Sequence, residues 1–271
     1  MVPDVCTEFD LGAAVAREPG GKLEPLHNRS GISLLFTAGT RPTATEVEHL
    51  AGEALALGRS ARISYRPPDD HGWVELLASG LTYDLRGLAP GSAAPLPQAT
   101  QVYALPEDIG RFELEAVSLS PGAHIAAGGA LLPVIRTLVG LAAGLVLELP
   151  VAAVCWNPAG IWTEPKYFSR IAVNWLSGGP FPSLGLTGVR EHRDGGLESS
   201  GLAYFTGQEV RVVAGVGSPG ADMAKIAGRV IDHLVRYGPL DRPERFAGLD
   251  GEALVLDPTP DGRHVVVAKA A

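Results

Sequence analysis

The chain has 271 residues, 46% of them hydrophobic and only 19% charged, a balance that excludes an intrinsically disordered protein because so much apolar surface must be hidden by folding. A formal net charge of −8 repels phosphate backbones and argues against nucleic acid as a partner, while the 34 Gly and 22 Pro, spread without a fixed period, indicate many short elements. Two cysteines, Cys6 and Cys155, are too few for a disulfide framework and indicate a reducing, cytoplasmic setting; Met1 to Asp10 lacks the basic and apolar regions of a secretory signal.

Residues 1–30 mix charge, Gly and Pro with little periodicity and read as an irregular lead-in. A single compact domain is expected over 31–271, with possible sub-units 31–97 and 98–271. Ile32 to Ala38 is a strand-like apolar run. Thr43 or Thr45 can cap a helix carrying Val47, Leu50, Ala51, Ala54 and Leu55 and ending at Gly58. Arg62–Tyr65 and Trp73–Leu77 read as strands around a turn at 67–72, and a Pro/Ala/Gly-rich connector follows over 88–97.

Phe112–Leu119 reads as the next strand. Ile125 to Leu149 is apolar enough to raise the question of a membrane span, but Arg136 at its middle, Glu148 near its end and Pro133 in its first turns point to a buried core helix and no stable membrane insertion. Val151–Trp156 is a buried strand, and Pro165–Leu176 an amphipathic helix with Phe168, Ile171, Ala172 and Trp175 on one stripe and Gly178-Gly179 past its end. Glu209–Val213 alternates as a strand, Met223–Tyr237 has a helical stripe stopped by Gly238-Pro239, and Ala253–Leu256 with His264–Ala268 forms a hairpin. The expected fold is α+β: mixed, mostly antiparallel sheets covered by helices, built from repeated strand-helix-strand passages.

Several groups bear on function. Gly215, Gly217 and Gly220 form a literal G-x-G-x-x-G between a strand and a helix, the context in which glycines let a backbone approach a pyrophosphate, though Pro219 removes an N–H and little chain follows. Cys155 closes a buried strand and would need His124, His192 or His233 as a base to act as a nucleophile; a structural thiol is the simpler reading. His192 and Asp194 sit in a charged turn that reads as a solvated hairpin tip, with no spacing that makes a metal site. Glu107, Asp108, Glu113 and Glu115 are close in sequence, and strand alternation puts Glu113 and Glu115 on one exposed face, an acidic patch for a basic partner. Trp162, beside Glu164 in an expected loop, is either buried or an interface anchor.

Four blocks, His124–Leu138, Ala153–Ala159, Trp175–Pro182 and Gly201–Val210, resemble in their order the bacterial family catalogued as domain of unknown function 4261, over about residues 31–268. The chain departs from that pattern in its long connector before Leu96 and in Thr206-Gly207. That family resembles proteins encoded among bacterial toxin and immunity genes. The resemblance implies partner binding, with a basic toxin as one such partner, and brings no chemistry with it. The expectation is a non-enzymatic protein-binding module of the immunity or accessory type, without cofactor or metal, using Trp162, Glu164, Glu113, Glu115, His192 and Asp194; the alternative is a nucleotide-binding or enzymatic domain built on the 215–220 loop.

Overall fold

A computed structural model describes residues 30–52, 61–217 and 220–270. The expected lead-in before Ser30, Cys6, the helix end at Gly58 and Pro219 lie outside the described residues. The described chain divides into two compact units, one up to residue 188 and one from 189. Both are mixtures of helix and mostly antiparallel sheet, the α+β class expected. The connector at 88–97 falls inside the first unit.

The first unit holds β1 (Ile32–Thr37), α1 (Ala44–Gly52), β2 (Ala61–Tyr65), β3 (Trp73–Ala78), β4 (Leu81–Arg86), β5 (Gln101–Tyr103), β6 (Leu114–Pro121), α2 (Leu132–Glu148), β7 (Ala153–Trp156), β8 (Ile161–Thr163), α3 (Pro165–Leu176) and the one-turn α4 (Ser183–Leu186). Its eight strands run in the order β2-β3-β4-β6-β1-β7-β8-β5. All neighbours in that order are antiparallel except β5, which pairs parallel to β8. The order in the sheet does not follow the chain: β2, β3 and β4 form a meander, and β1 sits between β6 and β7. Ser79-Gly80, both at positive φ (53° and 76°), make the two-residue turn that matches the twist of β3 and β4.

Helix ends follow from local chemistry. Thr43 and Glu46 form a reciprocal capping box on α1: the Thr43 N–H donates to Glu46 Oε2 (2.7 Å), and the Glu46 N–H donates to Thr43 Oγ1 (3.2 Å). The backbone and hydroxyl of Thr43 together hold the Glu46 carboxyl below its ordinary range. The apolar segment 125–149 becomes a 3₁₀ turn at Ala126–Gly128 followed by the 17-residue α2, with Pro133 in its first turn and the residues from Val134 to Val146 buried except Arg136. No described helix is long and apolar enough to cross a membrane. Helix α2 packs on α3 and on β1 and β6, so its apolar surface is spent inside the unit.

The opposite face of the sheet has a different cover. Leu35, Ala116, Ala153, Cys155 and Trp162 form a buried cluster there, and Ala94 of the connector, with Leu105 and Leu114, packs against it. The Ala94 N–H donates to the Ala116 carbonyl (2.9 Å), which pins the connector to the sheet. A side chain at Gly87 would meet that same carbonyl at 2.6 Å, so the chain needs glycine there. The Pro/Ala/Gly composition of 88–97 thus builds a thin lid of small residues over one sheet face.

The second unit holds β9 (Gly188–Glu191), β10 (Leu197–Ser200), α5 (Ala203–Thr206), β11 (Glu209–Val212), α6 (Ala221–Tyr237), β12 (Glu244–Ala247), β13 (Ala253–Pro258) and β14 (His264–Lys269). Its six strands run β12-β13-β14-β11-β10-β9, with β11 and β14 parallel. Alternation along β11 and β14 puts Val210, Val212, Val265 and Val267 on the buried face, where α6 brings Ile226, Val230, Ile231 and Leu234. Burying each such side chain contributes roughly 1.5–3 kcal/mol. Buried Gln208 ties down the chain just past α6: its Nε2 donates to the Leu240 carbonyl (2.8 Å) and its Oε1 accepts from the Leu240 N–H (2.9 Å).

Candidate functional site

Gly160 and Pro165 bracket a three-residue strand, not a loop. Trp162 is the middle residue of β8, paired with Cys155 of β7 on one side and Val102 of β5 on the other. It is 8% exposed and belongs to the buried cluster beneath the connector, so the expectation of an exposed interface anchor is corrected: the sheet needs Trp162 as core. Cys155 lies in the same cluster. Burial pushes its thiol up to about 12, against a smaller opposing effect of the Trp162 side chain. A thiol in that state is no nucleophile. The bases considered for it have other partners: His124 Nε2 is 2.7 Å from Thr82 Oγ1, His192 faces Asp194, and His233 Nε2 lies 3.2 Å from Glu244 Oε1 with its ring against Tyr237 and Phe246.

Glu164, two residues beyond Trp162, is the N-cap of α3. Its carboxylate accepts from the Lys166 N–H (3.0 Å) and the Tyr167 N–H (2.6 Å), where the helix dipole also favours a negative charge. It is a structural cap first.

Glu113 and Glu115 do not share an exposed face. β6 begins at Leu114, Glu113 precedes it with its side chain exposed, and Glu115 is drawn under the β1–α1 connection. There Glu115 Oε2 accepts from the Gly39 N–H (2.8 Å) and pairs with Arg41 Nε (3.1 Å). The Gly39 amide first and Arg41 second hold its carboxyl below the ordinary range. Arg41 in turn donates to the carbonyls of Gly87 (2.5 Å) and Gly91 (3.0 Å), fastening the start of the connector.

The exposed acidic ground lies just upstream. Between β5 and β6 the chain carries Glu107, Asp108 and Glu113, all exposed, and among the described residues no hydrogen bond or ion pair engages their carboxylates. Phe112 beside them is 50% exposed and Val102 at the sheet edge 51%. Glu107 and Asp108 were visible in the sequence as charges. Val102 was not, because a three-residue edge strand carries too few residues to show a period, and Phe112 reads as the first residue of a strand that instead begins at Leu114.

In the second unit His192 and Asp194 sit at the tip between β9 and β10, closed by the His192 N–H on the Gly196 carbonyl (2.8 Å). Asp194 accepts from Arg211 Nη2 (2.5 Å), the Gly196 N–H (3.0 Å) and faces His192 Nδ1 (2.9 Å). Arg211 leads, then Gly196 and His192, in holding the Asp194 carboxyl far below its usual range. Glu198 on the same hairpin pairs with Arg190 (3.0 Å) and lies 3.5 Å from His264 Nε2. These charges are largely neutralised among themselves. Among the described residues no group of three or more His, Cys, Asp or Glu is placed to hold a metal ion.

The glycine-rich loop follows β11. Gly215, Gly217 and Gly220 all have positive φ (89°, 69° and 82°), which only glycine adopts without strain. Gly220 caps α6, and Asp222 stands in the first turn of that helix, placing a carboxylate where a phosphate would have to bind. The glycines are explained by the turn itself. No family model, no curated protein and no solved structure matches the chain.

Proposed function

We propose that the chain is a non-enzymatic protein-binding module, of the bacterial immunity or accessory kind and working in the cytoplasm, that engages a basic partner through an acidic surface. The observation that carries this reading is the run from Ala104 to Glu113. Its three carboxylates are exposed and have no counter-charge among the described residues, next to the exposed Phe112 and Val102. The other charges singled out in the sequence differ: Glu115, Glu164 and Asp194 are each held by donors of their own unit. An aromatic anchor ringed by charge is the arrangement that desolvates well against a complementary surface. A basic toxin is the partner that the family resemblance implies.

Affinity capture with the full chain, set against the Glu107→Gln, Asp108→Asn, Glu113→Gln triple variant, tests the reading. The expected result is a basic protein retained by the wild type and lost from the triple variant. Recovery of the same proteins by both, or of none by either, contradicts it.

A further inference from the structure

We propose that β5 is a docking edge, at which an extended Lys- or Arg-rich segment of a partner protein adds to the eight-stranded sheet as a further strand. The proposal rests on the reading of the chain as a binder of basic partners, and adds where and in what backbone conformation the partner is held.

The backbone pattern makes the edge. Among the described residues β5 is the last strand of the sheet, and its only strand neighbour is β8, to which it runs parallel. In a parallel pair alternate residues turn both their N–H and their C=O toward the neighbour. Gln101 and Tyr103 are those residues: the Gln101 N–H points at the Gly160 carbonyl (3.4 Å), and the Glu164 N–H donates to the Tyr103 carbonyl (3.0 Å). Val102 between them therefore turns its N–H and C=O away from the sheet. That donor and acceptor, unpaired among the described residues, is the template to which an extended peptide adds. The Val102 side chain, half exposed beside the covered Trp162, gives such a peptide an apolar contact on the same sheet face.

Charge chooses the occupant and the edge. The far edge of the same sheet, β2, carries Arg62 and no acidic residue of its own, while Arg66 just past it is taken up by Glu48 and Asp69. The β5 edge runs directly into Glu107, Asp108 and Glu113, against the lone Arg111 of that stretch of sequence. A peptide that is both extended and basic is steered to β5 and away from β2.

The test uses the folded full chain and a fluorescent short peptide alternating lysine and valine, an analogue of it N-methylated at every residue, and oligolysine. Titrations are read by anisotropy at low and at high salt. The alternating peptide is expected to bind and to weaken with salt. N-methylation of the peptide and Val102→Pro in the protein are each expected to weaken it about tenfold, the loss of one or two ladder hydrogen bonds. Proline is compatible with an edge position whose N–H faces outward, and circular dichroism checks that the variant folds. If it does not fold, the N-methylated peptide against the wild type decides alone. Equal binding of methylated and unmethylated peptides overturns the docking edge while leaving the acidic-surface reading standing. Failure of the alternating peptide and of oligolysine to bind at all overturns both.

Discussion

Arg136 of α2 reaches across to the end of α3, where its guanidinium lies over the Trp175 ring at 4.8 Å and its Nη2 donates to the Leu176 carbonyl (3.1 Å) and points at the Trp175 carbonyl (3.4 Å). A cation in the middle of an apolar helix is thus a C-cap for its neighbour. Arg136→Ala removes the ring contact and leaves those carbonyls short of a donor, so it is expected to cost about 1–3 kcal/mol. Urea unfolding measures this. A midpoint equal to that of the wild type contradicts the assigned role.

The thiol of Cys155, held up to about 12 by burial, is expected to stay unreactive in the folded protein. In a Cys6→Ser background, a thiol reagent at mildly alkaline pH is expected to label nothing until denaturant is added. At roughly three to four pH units below its pKa the thiolate fraction is about one in a thousand to one in ten thousand. Rapid stoichiometric labelling of the native chain contradicts the buried placement.

The long, periodic elements were legible in the sequence for physical reasons that the two amphipathic helices illustrate. Pro165 and Gly178-Gly179 bound α3 at the expected residues, and Gly238 bounds α6, because Pro fits a first turn and Gly a last one. The failures were short or non-local. Leu81–Arg86 was missed because a Ser-Gly turn joins it to β3 with no run of loop residues between them. β5, β8, β9, β10 and β12, of three or four residues each, have no period to read. The parallel pairing of β5 with β8 joins residues some sixty positions apart and decides that Trp162 is core and Val102 the edge. Likewise, nothing local in the sequence says that Arg41 and Gly39 take up Glu115 while Glu113 stays exposed.

Asp194 should make the stability of the second unit depend on acid. Its folded-state pKa is depressed, chiefly by Arg211, so its contribution is present above the ordinary carboxylate range and is lost as pH falls below that range toward the folded value. Asp194→Asn is therefore expected to lower the melting temperature at neutral pH, with the gap to the wild type closing in acid. Because the pair is exposed, added salt should shrink the gap too. A gap that is constant from neutral pH to strong acid contradicts the pairing.

Gly215 and Gly217 separate backbone strain from crowding. Both have positive φ, but a Cβ at Gly215 meets nothing within 4 Å, whereas one at Gly217 lies 3.2 Å from Asp222 Cβ and from Ile226 Cδ1. Gly215→Ala is expected to cost roughly 1–2 kcal/mol of left-handed strain, and Gly217→Ala more. Neither wild type nor variants should show a thermal shift with nucleotides. A clear shift for the wild type that Gly217→Ala abolishes would restore the nucleotide-binding reading of the loop.

Amide hydrogen exchange of the full chain, with and without oligolysine, goes to the surface itself. Protection gathered in residues 100–113 is the expected result. Protection confined to the 190–198 hairpin or the 215–220 loop, or none anywhere, would contradict an acidic surface at the β5 edge as the place where a basic partner is held.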